Sequence, residues 1–233
     1  MDLQKRNDML AKAKKQLSDK SSREKLHKEG KKTAYELMNL FFDDGTFAET
    51  NAFVKAYSGN ILSVDEAGYE GVVTGYGAVD GRLVFAYAYD ASRMGGAFTK
   101  AAAEKIAGLY DLALKNGAPV VSFVDSLGAK VLEGVDVLAG YGTLMRKAAS
   151  VKGKLPQISV VLGNAVGASA VVASMADAMV VCDFHSMVYN INLWIPDGGL
   201  HDRHHPRLSA GSQTDPPGGG TQREYGLCHR YRK

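Results

Sequence analysis

The sequence predicts an α/β domain, and three observations carry that reading. Short apolar runs at Pro119–Val124, Gln157–Leu162 and Ala178–Cys182 alternate with stretches of helical period, the pattern of parallel strands joined by crossover helices. Before them, two alternating runs flank Asp80-Gly81, a turn pair that closes a β-hairpin. In the later part of the chain each strand runs into a glycine-bearing turn that opens a helix.

Taken in order, the first segment up to about Lys32 reads as helix, with Met9, Ala13 and Leu17 on one face and Ser21-Ser22-Arg23-Glu24 as an internal cap. Thr33 to Phe42 is a second helix, stopped by Asp43-Asp44-Gly45. Val72–Val79 and Arg82–Tyr89 form the hairpin. Ala97–Lys115 is helical and ends at Asn116-Gly117, a glycine stop. Pro119–Val124 is a buried strand, Leu132–Ser150 a helix, Gln157–Leu162 a strand, Val166–Met175 a small-residue helix and Ala178–Cys182 a strand. From His185 onward the period disappears. That stretch holds five of the six histidines, four of the six prolines and the only tryptophan, a composition that favours a changed reading frame over a natural disordered arm. The expected division is a basic helical extension at 1–32, a globular domain at 33–184 and an irregular tail at 185–233.

Composition narrows the function classes. With 45% hydrophobic and 23% charged residues the chain falls among soluble globular proteins. Residues 1–32 hold 11 Lys/Arg against 5 Asp/Glu, whereas the globular part is acidic. The basic start mixes both charge signs and has no aromatic residue to stack on bases, so a solvated amphipathic helix is favoured over a nucleic-acid arm. Two cysteines, Cys182 and Cys228, imply no disulfide framework, and the cytoplasm is the expected compartment. No signal peptide and no apolar run of membrane-spanning length is expected.

The chemistry is placed at three strand-to-helix junctions: Ser92-Arg93-Met94-Gly95-Gly96-Ala97-Phe98-Thr99, Asp125-Ser126-Leu127-Gly128-Ala129-Lys130, and Gly163-Asn164-Ala165-Val166-Gly167-Ala168-Ser169. Small residues at helix starts leave backbone N–H groups open toward the carboxyl ends of parallel strands. A cleft built this way suits an anion or a developing oxyanion, where losing one donor typically costs roughly 2.7–4 kcal/mol. Three other signals carry less weight. Gly75-Tyr76-Gly77 with Gly81 imitates a dinucleotide fingerprint, but a strand follows it. His201, His204 and His205 sit in the tail with no second ligand cluster, and no metal is expected. Gly167-Ala168-Ser169 lacks both the elbow's second glycine and a histidine partner for a nucleophilic serine.

Glu24-Lys25-Leu26-His27-Lys28-Glu29-Gly30-Lys31-Lys32-Thr33-Ala34, Asp44-Gly45-Thr46-Phe47-Ala48-Glu49, Gly71-Val72-Val73-Thr74-Gly75-Tyr76-Gly77 with Asp80-Gly81-Arg82, Lys115 to Val120, Glu133 to Gly142 and Pro156 to Ser159 with Gly163 occur in one order over about 160 residues. That order resembles the N-terminal half of the carboxyltransferase subunit of biotin-dependent acyl-CoA carboxylases. The resemblance implies a crotonase-like spiral of ββα units, an acyl-CoA substrate, and carboxyl transfer between biotin on a carrier protein and the acyl α-carbon through a thioester enolate. By position it makes Leu127 and Gly128 the oxyanion-forming amides, and gives the CoA groove to Gly95, Gly96, Ala129, Lys130, Gly163, Gly167 and Ala168. It further implies a biotin carboxyl carrier protein and a C-terminal carboxyltransferase half on another chain as partners, in a homo- or hetero-oligomer. The sequence departs from the family at Leu127, where the family has glycine, at Lys130 for arginine and at Ala168 for glycine. The rival readings are another crotonase-fold CoA enzyme, a decarboxylase or hydratase, and a non-catalytic CoA-binding subunit.

Overall fold

The computed structural model describes residues 3–5, 7–9, 11, 20–55, 69–182 and 186–189. Helix α1 (Lys20–Lys28) ends at Gly30, and α2 (Ala34–Phe41) begins just beyond it. A seven-stranded sheet follows, in the order β1 (Ala48–Thr50), β2 (Val72–Val79), β3 (Arg82–Tyr89), β4 (Val120–Ser126), β5 (Gln157–Val166), β6 (Ala178–Val181), with β7 (Met187–Tyr189) also on β5. β1 to β3 pair antiparallel; from β3 onward every pairing is parallel. The crossovers are α3 (Lys100–Asn116), α4 (Val135–Val151) and α5 (Ala168–Met175).

β4 is buried at every residue because helices cover both faces of the sheet there. Val120 and Val124 join the core under α3, α4 and α5, with Phe98, Ile106, Leu109, Leu144 and Val161. Val121 and Phe123 point the other way, into a smaller core with Ala34, Met38 and Phe42 of α2 and its end. α3 buries Ala102, Ala103, Ile106, Leu109, Tyr110 and Ala113 at helical spacing, and Thr99 caps it by accepting the Ala102 N–H. Gly117, at φ 63°, ends it in the left-handed region, the stop that Asn116-Gly117 predicted. Lys105 is the exception on that buried face; its ammonium donates to the Val72 carbonyl at 2.6 Å, and burial lowers its pKa against the opposing pull of Glu49 and Glu70.

The elements match the sequence reading in the main; β1 is not among the expected elements, the helix expected from Ala97 begins at Lys100, and four further differences bear on the site. Ser21 to Glu24 lie inside α1 rather than capping a helix. The helix expected from Leu132 begins at Val135, after a single 3-10 turn at Val131–Glu133. β5 runs on to Val166, beyond the Leu162 expected, so its last residues form the third glycine turn's approach. The sheet also continues past residue 184, because β7 pairs Asn164–Val166. Ala13, Leu17, the tail histidines and Cys228 lie outside the described residues. No helix among the described residues is long and apolar enough to cross a membrane.

Candidate active site

The three glycine junctions meet. At the first, Met94, Gly95 and Gly96 have φ of 48°, 63° and 69°, a left-handed turn that lays its backbone against the second junction. A Cβ on Gly96 would stand 2.0 Å from the Asp125 carbonyl oxygen, so no side chain fits there. The Gly95 carbonyl accepts the Leu127 N–H at 3.0 Å, and a Cβ on Gly95 would strike the Leu127 side chain. One residue further on, Phe98 donates to the Gly128 carbonyl and accepts from the Lys130 N–H, both at 2.8 Å, forming an isolated parallel bridge with Ala129. The Phe98 ring stacks on Tyr141 of α4 at 4.2 Å, fixing the bridge to the core.

The second and third junctions are joined across a β-bulge. β4 and β5 run in step to Val124 and Val161, then resume at Ser126 and Ala165, so that Asp125 alone faces Leu162, Gly163 and Asn164. The Asp125 carboxylate fills the gap: Oδ1 accepts the Asn164 N–H at 2.9 Å and Oδ2 accepts from Lys31 Nζ at 2.8 Å. Gly163 lies directly under that carboxylate, with room for no Cβ. Val166 then packs against Gly128, and Gly167, at φ 65°, opens α5 with nothing within 4 Å of its Cβ direction.

This arrangement decides which amides are open. The Gly96 N–H donates to the Arg93 carbonyl at 2.9 Å, and the Leu127 N–H is bound to Gly95. Leu127 is therefore not an open oxyanion donor in this geometry, contrary to the sequence expectation, because the first turn uses that amide to dock. What Leu127 presents instead is its side chain, 59% exposed over Gly95. Gly96, Gly163 and Ala168 are buried, as is Gly128, whereas Gly95, Ala129, Lys130 and Gly167 are half-buried. The Gly128 N–H meets only the Ser126 hydroxyl, at 3.2 Å, a short turn closed by a rotatable acceptor. The Ala129 N–H has no acceptor among the described residues; the parallel bridge turns it away from Phe98. Gly128 and Ala129 are thus the two amides of this turn not tied to a backbone carbonyl, one residue later than Leu127 and Gly128; Gly128 itself is buried, and its N–H becomes available only when the Ser126 hydroxyl turns away. Pattern reading could not show the shift, since it depends on which carbonyl the first turn presents.

Lys130 does not stand free at the mouth. Its ammonium lies 3.6 Å from Glu133 Oε1, an ionic contact too long for a hydrogen bond, while Glu133 Oε2 accepts the Lys100 N–H at 2.8 Å at the start of α3. Deeper in, the Tyr141 and Ser169 hydroxyls are buried with no well-formed hydrogen bond among the described residues, and burial, opposed by nearby Ser169, pushes the Tyr141 phenol up to about 12. Chemically, the turn brings the Gly128 and Ala129 N–H groups near the amino end of α5, and its own carboxylate, Asp125, is engaged by Lys31 and Asn164.

The model of the carboxyl transferase domain family matches residues 25–190. The chain is 41% identical over 167 residues to the methylmalonyl-CoA decarboxylase alpha subunit of Propionigenium modestum, covering 71% of this chain and 32% of that protein. It is 38% identical over 152 residues to the propionyl-CoA carboxylase beta chain of Cereibacter sphaeroides, covering 65% and 30%. Among solved structures it superimposes with a TM-score of 0.75 on transcarboxylase 12S, a hexamer assembly with methylmalonyl-CoA and methylmalonic acid bound, at 28% identity over 82% of this chain and 37% of that one. The chain spans about a third of the length of these relatives.

Proposed function

Because this chain belongs to the carboxyl transferase domain family and has its crotonase-like fold, we propose that it is the acyl-CoA-binding half of a carboxyltransferase. The reaction is transfer of a carboxyl group between carboxybiotin and the α-carbon of an acyl-CoA. The observation that carries the proposal is that the Gly128 and Ala129 amides, at the carboxyl ends of β4 and β5, are not tied to backbone carbonyls, the Gly128 N–H meeting only a rotatable hydroxyl. A thioester oxygen seated there would accept both N–H groups while the α-proton passes to biotin freed of its carboxyl group, and the amides would stabilise the enolate oxygen that then takes up the released CO2. The Ser126 hydroxyl yields the Gly128 N–H by rotating about one bond. The amino end of α5, beside Gly167 and Ala168, suits an anionic group of the CoA moiety.

Carboxybiotin supplies the carboxyl group when its carrier docks. The amides that open on the mouth are given to the thioester and those of α5 to CoA, so no described residue is assigned to the biotin ureido ring, and that end belongs to a partner half. Val131, Leu132 and Val135, between 78% and 84% exposed, edge the mouth directly after Lys130, and with Leu138 they form an apolar rim of the kind a partner covers.

One finding favours a second reading, a CoA-binding subunit without turnover: the Leu127 amide is occupied and its side chain overhangs the mouth. Thermal unfolding of the full chain with methylmalonyl-CoA separates the two. Saturable protection is expected, near 2.7 kcal/mol when the ligand stands at about a hundred times its Kd. Absence of protection defeats both readings. Protection without decarboxylation of methylmalonyl-CoA, once the C-terminal half and biotin are supplied, selects the second.

A further inference from the structure

The geometry points to Lys31 as the positioning residue of this mouth: by clamping Asp125 across the β4/β5 bulge, it sets the spacing between the Gly128 turn and the Val166–Gly167 turn. The inference rests on the reading that these turns hold the thioester.

A bulge leaves backbone groups without their ladder partners. Here the orphaned Asn164 N–H is taken by the Asp125 carboxylate, and that carboxylate, 12% exposed on its side chain, is balanced by Lys31, 18% exposed. An ion pair this far from water differs from a solvated surface pair, since removing one partner leaves a buried charge unmatched. With Lys31 absent, Asp125 would turn toward solvent, release Asn164 and vacate the space over Gly163. Gly128 packs on Val166, so movement of β5 beyond the bulge passes directly to the Gly128 and Ala129 amides.

The local chain fixes where Lys31 stands. Gly30, at φ 74°, follows α1 in the left-handed region; its N–H donates to the His27 carbonyl at 3.0 Å and the Lys31 N–H to the Leu26 carbonyl at 3.1 Å. These are the two bonds of a Schellman stop. Two residues later Thr33 starts α2 with a capping box: the Glu36 carboxylate accepts the Thr33 N–H at 2.8 Å, and the Thr33 hydroxyl accepts the Glu36 N–H at 3.4 Å. Lys31 thus sits between two anchored helix ends and reaches across 94 residues of chain to the bulge. Neither helix end contributes a group to the mouth; their joint product is the position of one ammonium.

The test is amide hydrogen exchange of the full chain, with acyl-CoA titration alongside. Lys31→Met is expected to speed exchange at Asn164 by about tenfold or more, as loss of a charge-assisted hydrogen bond does, while Leu109 and Leu144 keep their protection. Methylmalonyl-CoA should bind several-fold more weakly to this variant, and Lys31→Arg should restore both. Should Lys31→Met fail to fold, the double variant Lys31→Met, Asp125→Asn carries no unmatched charge. Its Asn164 exchange should then exceed the parent's, a neutral acceptor having replaced the carboxylate. An Asn164 amide that stays protected overturns the inference. So does equal acceleration at all three amides, which marks a purely global effect, and so does loosening without loss of acyl-CoA affinity. A parent chain that binds no acyl-CoA removes the reading of the site, and the Asn164 result then decides the clamp alone.

Discussion

The contact between the first and second glycine turns is closed throughout, whereas the contact between the second and third is closed at Gly163, beneath the Asp125 carboxylate, and loosens beyond it at Gly128 and Gly167. In the first contact the Cβ positions of Gly95 and Gly96 are filled by Leu127 and by the Asp125 carbonyl, and the amides of Gly96 and Leu127 are bound within the chain. In the second, Gly128 meets Val166 at ordinary packing distance, Gly167 faces open space, and the amides of Gly128 and Ala129 are held by one hydroxyl and by nothing among the described residues. Glycine after a strand therefore has two uses in one site. One brings backbones together; the other lets a ligand approach backbone.

The contrast breaks most visibly by adding a methyl group. Gly96→Ala places a Cβ inside the Asp125 carbonyl at a positive φ, and overpacking plus backbone strain should cost about 3–5 kcal/mol, lowering Tm by about 10 °C. Gly167→Ala meets no atom, but at φ 65° and ψ −126° it sits in backbone space that is nearly exclusive to glycine, so it should cost about 2–3 kcal/mol, less than Gly96→Ala. Thermal unfolding of the two variants side by side decides the matter: equal losses would mean that both glycines serve the same purpose.

Much of the scaffold is legible in the amino-acid pattern. The hairpin at Val72–Tyr89 follows from alternation about Asp80-Gly81, and α3 ends at the stop that Asn116-Gly117 specifies. The convergence of the three turns is also legible, since parallel strands deliver their carboxyl ends to one edge. The choice of open amides is not. Leu127 and Gly128 are neighbours in sequence with similar local signals, and only the approach of the Gly95 carbonyl separates the bound amide from the open one. Nor is the bulge legible, because a strand's residues do not announce that a carboxylate from the next strand will replace a ladder bond. Lys31 lies in a run of residues shared with the family, with no local feature to tie it to Asp125.

A smaller effect sharpens the open half. Ser126→Ala removes the hydroxyl that the Gly128 N–H meets in the free protein. An unpaired buried donor costs about 1–3 kcal/mol of stability, yet a thioester oxygen no longer has to displace the hydroxyl. Calorimetry should therefore show a lower Tm for the variant, together with affinity for methylmalonyl-CoA equal to or tighter than the parent's. Weaker binding would mean that the hydroxyl itself contacts the ligand.

The smallest effect lies at the helix ends that place Lys31. Burial alone would raise the Glu36 carboxyl, but the Thr33 backbone N–H and the His27 ring, at 2.8 and 3.0 Å, outweigh it and hold the group below the usual glutamate range. A carboxyl depressed in the folded state adds stability that is fully present above its unfolded value and fades as pH falls through its lowered folded value. Glu36→Gln discards that contribution while keeping an oxygen for the Thr33 amide. The variant should melt slightly below the parent at neutral pH, and the two curves should draw together below a pH of about 4. If the gap instead stayed constant to low pH, the carboxylate's charge would be irrelevant and the capping oxygen alone would hold the start of α2. The anchoring of Lys31 on that side would then be steric rather than electrostatic.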